Sequence, residues 1–210
     1  MPRISELRAP AEPVSESQKD RYQRILRAAS RLGSQHGLER VQMADVAKDA
    51  GVAIATVYRY FPSKNELFAA VMRSQVERLD EELPPAGSDA DPVGAVAVLL
   101  TESCRRMLSR PKLATATLQA NNAAQLQAGP EHSPASSAFT ELVLHTLGCS
   151  AGDREPDDED RRMVRLIEQT WYGILVSTLN GHISQEQAEQ DIELACRLLL
   201  GPTYGERPSS

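Results

Sequence analysis

The sequence predicts an all-α protein. Its apolar residues are mostly Leu, Ala and Val with few β-branched runs, and aromatic residues make up only 4% of the 210 positions. Segment after segment carries apolar side chains at helical spacing, and Gly or Pro punctuates the breaks between them. No stretch alternates in the manner of a strand. A hydrophobic content of 41% is enough to build a packed core.

Taken in order, residues 1–14 hold three prolines and no periodicity and read as a disordered arm. Ser15 and Gln18 have capping-box spacing, and Tyr22, Ile25, Leu26, Ala29 and Leu32 follow at helical period. Gly37 is the natural end of that first helix. The stretch "VQMADVAKDAG" predicts a short second helix with Met43, Val46, Ala47 and Ala50 on one face, stopped by Gly51. "AIATVYRYF" forms a third, ended by Pro62. Ser63 caps a fourth, longer helix, with Glu66 three residues on and Leu67, Phe68, Val71, Met72, Val76 and Leu79 in period.

The break at 83–92 precedes a buried helix, "VGAVAVLLTESCRRMLS", which stops before Pro111. "KLATATLQANNAAQLQA" runs to Gly129-Pro130, and "PASSAFTELVLHTLG" leads into the acidic loop "SAGDREPDDED". Two last helices are expected at 158–180 and 184–200, the first with acids in its opening turn where the dipole favours them. The expected division is an arm at 1–14, a head at 15–62, a body at 63–201 and a tail at 202–210.

Bulk properties narrow the function. No apolar stretch approaches the roughly 20 residues needed to cross a bilayer. The N-terminus lacks the apolar region of a secretory signal, so a cytoplasmic protein is expected, with no membrane partner. Cys104, Cys149 and Cys196 are an odd number without metal or disulfide spacing and read as small buried hydrophobes. His36, His132, His145 and His182 stand apart from any partner that would make a metal site or triad, and "SPASS" lacks a glycine elbow. Neither an enzyme nor a resident metal or cofactor is expected. The net charge of −6 is unevenly spread: residues 15–66 carry nine Lys/Arg against six Asp/Glu, so the acid excess lies beyond them. A basic head on an acidic body suits phosphate binding by the head alone.

Residues 43–60 have the layout of a helix-turn-helix, with Gly51 allowing the reversal between two short helices. The second helix of such a motif enters the major groove with its N-terminal residues toward base edges. Those residues are Ala53, Ile54, Ala55 and Thr56. Small side chains let the helix sit deep, methyl groups meet thymine methyls, and Thr56 bonds a base or phosphate. Tyr58 and Tyr60 bring hydroxyls to phosphates, and Lys64 brings charge beside a helix N-terminus. Val57 and Phe61 pack inward. The competing reading takes "TVYRYF" as an amphipathic core helix in an interaction module that binds no DNA.

Residues 20–68 resemble the N-terminal domain of the TetR family of transcriptional regulators. The resemblance lies in "RILRAASRLGSQHGLERVQMADVAKDAGVAIATVYRYFPSKNELF", about a quarter of the chain. It implies a three-helix DNA-binding head, a helical ligand-binding and dimerising body, and repression of a palindromic operator relieved by a small molecule. It maps DNA contacts onto Gln42 and Ala44 of the second helix, onto Ile54, Ala55, Thr56, Tyr58 and Tyr60 of the third, and onto Lys64. Gln42 stands where a Ser/Thr cap is usual, and Ala44 and Ala53 replace polar residues, so base reading should rest on apolar contacts and on outside groups such as Arg3 and Arg8.

In the body, polar residues sit within apolar faces, either as satisfied core groups or as the orienting groups of a ligand cavity. The cavity reading assigns Met72, Val76, Leu100, Ser103, Met107, Leu118, Asn122, Phe139, Val143, Ile167 and Trp171. Arg105, Arg106, Arg110 and Lys112 are either a solvated helix end or the seat of an anionic ligand tail. "VQMADVA", "YRYFPSK", "RPKL", "IEQTWYGIL" and "LACRLLLG" are most similar to the family's repressors of sterol and fatty-acid catabolism. That likeness implies an apolar effector of steroid or fatty acyl-CoA type, and the family pattern implies a homodimer through the last two helices.

Overall fold

The structure, a computed structural model, describes residues 11–82, 91–128, 138–149 and 154–205. Among the described residues it is helical throughout, with no strand. In chain order the helices are α1 (Glu16–Arg40), α2 (Met43–Ala50), α3 (Ile54–Tyr60), α4 (Lys64–Glu82) and α5 (Pro92–Leu108). They continue with α6 (Pro111–Ala128), α7 (Ala138–Thr146), α8 (Asp158–Leu179), α9 (Gln185–Leu199) and α10 (Gly201–Tyr204).

Local chemistry sets several of these ends. Ser15 caps α1 in a reciprocal box with Gln18, Ser63 and Glu66 cap α4 the same way, and Ser184 and Gln187 cap α9. Asp91 accepts from the Val93 amide just ahead of α5. Gly37 leaves helical geometry at φ 73 as expected, but the chain resumes a helical turn and runs on to Arg40. The expected tail from 202 is helical at its start, as α10. Of the expected arm, residues up to 10, Arg3 and Arg8 among them, lie outside the described residues. Ala11 is tied down, its amide donating to the Arg59 carbonyl at 3.1 Å.

The chain forms two compact units that do not follow the expected break after Pro62. The first is Met1–Gln75 with Arg110–Ser133, and the second is Val76–Ser109 with Pro134–Ser210. The apolar faces of α2 and α3 are each too short to hold a fold, and the first unit completes its core with α1, α6 and the start of α4. Ile25, Val46, Val57, Leu67 and Phe68 are fully buried there. The approach of α1 to its neighbours depends on Gly33: a Cβ at that position would lie 2.6 Å from Phe68 Cε1 and 3.0 Å from Leu113 Cδ1. α6 belongs to this unit because Leu113, Ala116 and Ala120 complete the same cluster.

In the second unit α5, α7, α8 and α9 bury Val96, Leu99, Leu100, Val143, Leu144, Val164, Ile167, Leu175 and Ile192. Trp171 places its indole in this core and donates Nε1 to the Leu100 carbonyl at 2.9 Å. All three cysteines are buried free thiols, and burial raises Cys104 to about 11 and Cys196 to about 12.

The second unit also holds a buried carboxylate that sequence reading treated as a helix-start acid. Asp160 completes the capping box of α8 with Asp157, accepts from Arg154 at 2.6 Å, and is hydrogen-bonded by the Tyr204 hydroxyl of α10. Burial opposes its charge, yet the bonds from Tyr204, Arg154 and the Asp157 amide outweigh that cost and lower its pKa to about 2. A carboxyl with a depressed folded pKa contributes stability above its unfolded value near 4, and loses it as pH falls toward 2. The contribution is about 2 kcal/mol at neutral pH. Asp160→Asn should therefore lower stability at pH 7, and its deficit relative to the parent should shrink between pH 4 and pH 2. Denaturant titration of both proteins across that range checks it.

Candidate functional site

The turn between α2 and α3 is closed by backbone hydrogen bonds. Gly51 adopts φ 64, and its amide reaches the Lys48 carbonyl while the Val52 amide reaches the Ala47 carbonyl. This is a Schellman closure, which needs a residue that tolerates the left-handed region. Outward from it, α3 presents a sharply divided surface. Val57 is fully buried, whereas Ala53, Ile54, Ala55, Tyr58 and Arg59 are exposed, with Ile54 at 45% and Tyr58 at 48%. Thr56 is half-buried beside them.

An isoleucine and a tyrosine left that open on a seven-residue helix are not explained by packing in their own unit. Gln42 and Ala44, at the start of α2, are exposed as well, and Gln42 makes no side-chain cap. These residues form a shallow apolar tip edged by polar groups. The exposed cations Lys48 and Arg59 lie on the same two helices, and neither has an ion-pair partner among the described residues.

Lys64 is more constrained than a free surface cation. Its ammonium donates to the carbonyls of Glu39 and Val41, each at 3.3 Å. An ammonium has three donors, so this tether fixes the charge beside the loop after α1 and leaves one donor for a partner.

Tyr60 departs from the expectation that its hydroxyl serves a phosphate. It is 4% exposed, with its ring edge-on to Tyr22 at 5.6 Å and 6.3 Å from Phe61. Tyr22 and Phe61 stack at 4.9 Å, so the three rings are one aromatic cluster between α1 and the end of α3. Tyr60 is therefore a core residue of the first unit and leaves the set of side chains offered to a duplex.

The residues assigned to a ligand cavity divide between the two units. Met72, Leu118 and Asn122 belong to the first, with Leu118 buried and Asn122 exposed. Val76, Leu100, Ser103, Met107, Phe139, Val143, Ile167 and Trp171 belong to the second. There Phe139 tilts onto Trp171 at 5.1 Å, and Leu100, Ser103, Val143 and Ile167 are buried. Ser103 donates its hydroxyl proton to the Leu99 carbonyl at 2.7 Å, which leaves its oxygen only as an acceptor.

The basic run at the end of α5 is also committed. Arg105 makes a bidentate pair with Glu189 at 2.8 and 2.6 Å, and Arg106 pairs with Glu82 and Glu102, each at 2.8 Å. Lys112 donates to the Gln35 carbonyl at 3.0 Å. Of the four, Arg110 alone has no partner among the described residues.

Sequence reading missed Glu168. Between buried Ile167 and Trp171 it is half-buried and accepts from the Thr140 hydroxyl of α7 at 2.9 Å. Burial raises its pKa, partly offset by that hydrogen bond. Only its position one residue from the apolar stripe of α8 could have signalled it.

Residues 25–71 match the family of bacterial regulatory proteins, tetR family, and residues 90–199 match the tetracyclin repressor-like C-terminal domain. The HTH-type transcriptional repressor KstR of Rhodococcus jostii is 33% identical over 189 residues, 89% of this chain and 86% of the relative. Its namesake in Mycobacterium tuberculosis is 30% identical over 92% of this chain and 86% of the relative. A crystal structure of a TetR transcriptional regulator from Rhodococcus sp. RHA1 superposes with a TM-score of 0.75 at 40% identity, over 87% of this chain and 98% of that one. These relatives are regulators rather than enzymes, and no described helix is long and apolar enough to cross a membrane.

The burial contrast on α3 has a measurable consequence. Tyr60→Ala should cost about 3 kcal/mol of unfolding free energy, as large aromatic truncations in a core do, whereas Tyr58→Ala should stay within about 0.5 kcal/mol of the parent. Urea melts of the two variants separate these outcomes.

Proposed function

The chain belongs to the tetR family of bacterial regulatory proteins, and on that premise we propose that it is a ligand-released repressor that binds a palindromic operator as a homodimer. The observation that carries the reading is the exposed tip of α3, where Ile54, Ala55 and Tyr58 stand open over a buried Val57. α3 lies in the major groove with Ile54 and Ala55 against base edges and Thr56 on a base or phosphate. Tyr58 and Lys64 hold the backbone, and Gln42 and Ala44 bring the start of α2 to the same duplex.

Dimerisation through α8 and α9 is supported by the apolar surface they leave open. Leu166 is 43% exposed, Tyr172 37%, Leu194 43% and Leu198 63%. Two-fold pairing there matches a two-fold operator. The effector is a small apolar molecule of steroid or fatty acyl-CoA type, received by the assigned residues of the second unit. Its support in the second unit is the apolar wall of Leu100, Phe139, Val143, Ile167 and Trp171. With Arg105 and Arg106 already paired, the acyl part rather than a phosphate tail supplies most of the affinity. The protein works in the cytoplasm, on DNA.

Two measurements test the proposal. In gel-shift titrations Tyr58→Phe and Lys64→Ala should both weaken binding, and Lys64→Ala should reduce the salt slope by about 1, because one phosphate contact is removed. Unchanged affinity and slope in both variants would refute the DNA assignment. Isothermal titration with steroids and with steroid and fatty acyl-CoA thioesters should give saturable heat and release the DNA complex. No heat, together with a retained complex, would remove that effector class.

A further inference from the structure

The Schellman closure after α2 satisfies the Ala47 and Lys48 carbonyls but leaves that of Ala50 without a backbone partner. A side chain from α1 supplies the missing donor. Arg24 gives Nη1 to the Ala50 oxygen at 2.8 Å in a partly buried bond spanning 26 residues of sequence. On its other side the guanidinium is pinned to its own helix, Nε to Asp20 Oδ2 at 3.1 Å. It also lies against the turn, since a Cβ on Gly51 would stand 3.5 Å from Nη1.

Seven residues further along α1, and so on the same face, Arg31 pairs with Asp49. Two guanidiniums two turns apart thus grip consecutive residues at the end of α2. They add positive charge where the helix dipole is negative.

The grip adds a polar anchor at the turn itself to the shared core and to the aromatic cluster at the far end of α3. Neither α2 nor α3 has a side-chain cap at its N-terminus: Gln42 and Ala53 make no cap bond. α3 is seven residues long and its first residues are exposed. Of the two clamps, Arg31–Asp49 is the more solvated, with Arg31 55% exposed, and such pairs contribute little. Arg24 makes the partly buried, charge-assisted bond, and this kind is the stronger.

We infer that Arg24 is a positioning residue for DNA reading: by holding the Ala50 carbonyl to α1 it sets the angle at which α3 meets the duplex, without touching the duplex itself. The inference rests on the DNA-binding reading above. Loss of the bond leaves the turn closed but lets α2 and α3 pivot against α1. Contacts that depend on the depth and tilt of α3 weaken, and those that depend on charge alone do not.

The test uses the full-length protein and two DNA probes, a duplex recovered by the parent protein from a randomised pool and a duplex of scrambled sequence. Arg24→Met should lose about tenfold affinity for the recovered duplex, the size of one charge-assisted hydrogen bond. Its affinity for the scrambled duplex and its salt slope should match the parent. Arg24→Lys keeps a donor and should recover part of the loss.

Full affinity of Arg24→Met for the recovered duplex would overturn the inference. So would an equal loss on both duplexes with a shallower salt slope, since Arg24 would then be a phosphate contact. If circular dichroism shows that Arg24→Met is unfolded at the assay temperature, Arg24→Lys is read alone on the same probes. A selective loss in that variant supports positioning, and an unchanged or unselective result overturns it. Failure of the parent protein to prefer the recovered duplex would instead count against DNA reading as such.

Discussion

The first unit depends on how closely α1 can approach its neighbours. Gly33 has no Cβ because the space is occupied by the ring of Phe68, with Leu113 next to it. That single omission lets α1 serve as the surface on which two otherwise marginal elements assemble. α2 has eight residues and α3 seven, both below the length at which helices persist alone in water. They are held because Ile25, Leu26 and Ala29 of α1 give their apolar faces a common floor. Each burial of a large side chain there contributes about 2 kcal/mol, offsetting the entropy of ordering such short segments.

A second layer of contacts converts that floor into a defined geometry. The Tyr22–Tyr60–Phe61 cluster fixes the far end of α3, Arg24 fixes the end of α2, and Lys64 ties the start of α4 to the loop after α1. All three run from α1 or its end to the reading elements. α6 packs on the same helix from another stretch of sequence, Leu113 and Ala116 entering the same core. A change in the placement of α6 therefore bears on α1 without passing through the turn.

Much of this was legible in the residues. The capping pairs Ser15–Gln18 and Ser63–Glu66, the stop at Gly51 and the inward face of Met43, Val46, Ala47 and Ala50 follow from spacing and turn chemistry, and the helices begin and end accordingly. Long-range relations were not legible. Nothing in the period of α6 says that it completes the first unit's core, since periodicity gives a buried face but not its partner. Tyr60 looked like Tyr58 because alternation over so short a helix does not distinguish an aromatic tip from an aromatic core. The partners of Arg105 and Glu168, and the second partner of Arg106, lie on other helices, and charge runs are silent about them. Asp160 likewise looked like one of several helix-start acids until Arg154 and Tyr204 closed over it.

The apolar character of the α3 tip has a chemical corollary. Ala53, Ile54 and Ala55 expose methyl groups, so on the proposed reading the tip meets the C5 substituent of a pyrimidine rather than its exchangeable edge. Cytosine modified by a methyl at C5 presents that surface with the same substituent as thymine. On the proposed reading, a methyl group added to cytosine at C5 would change the contacts at this tip as a change of base does.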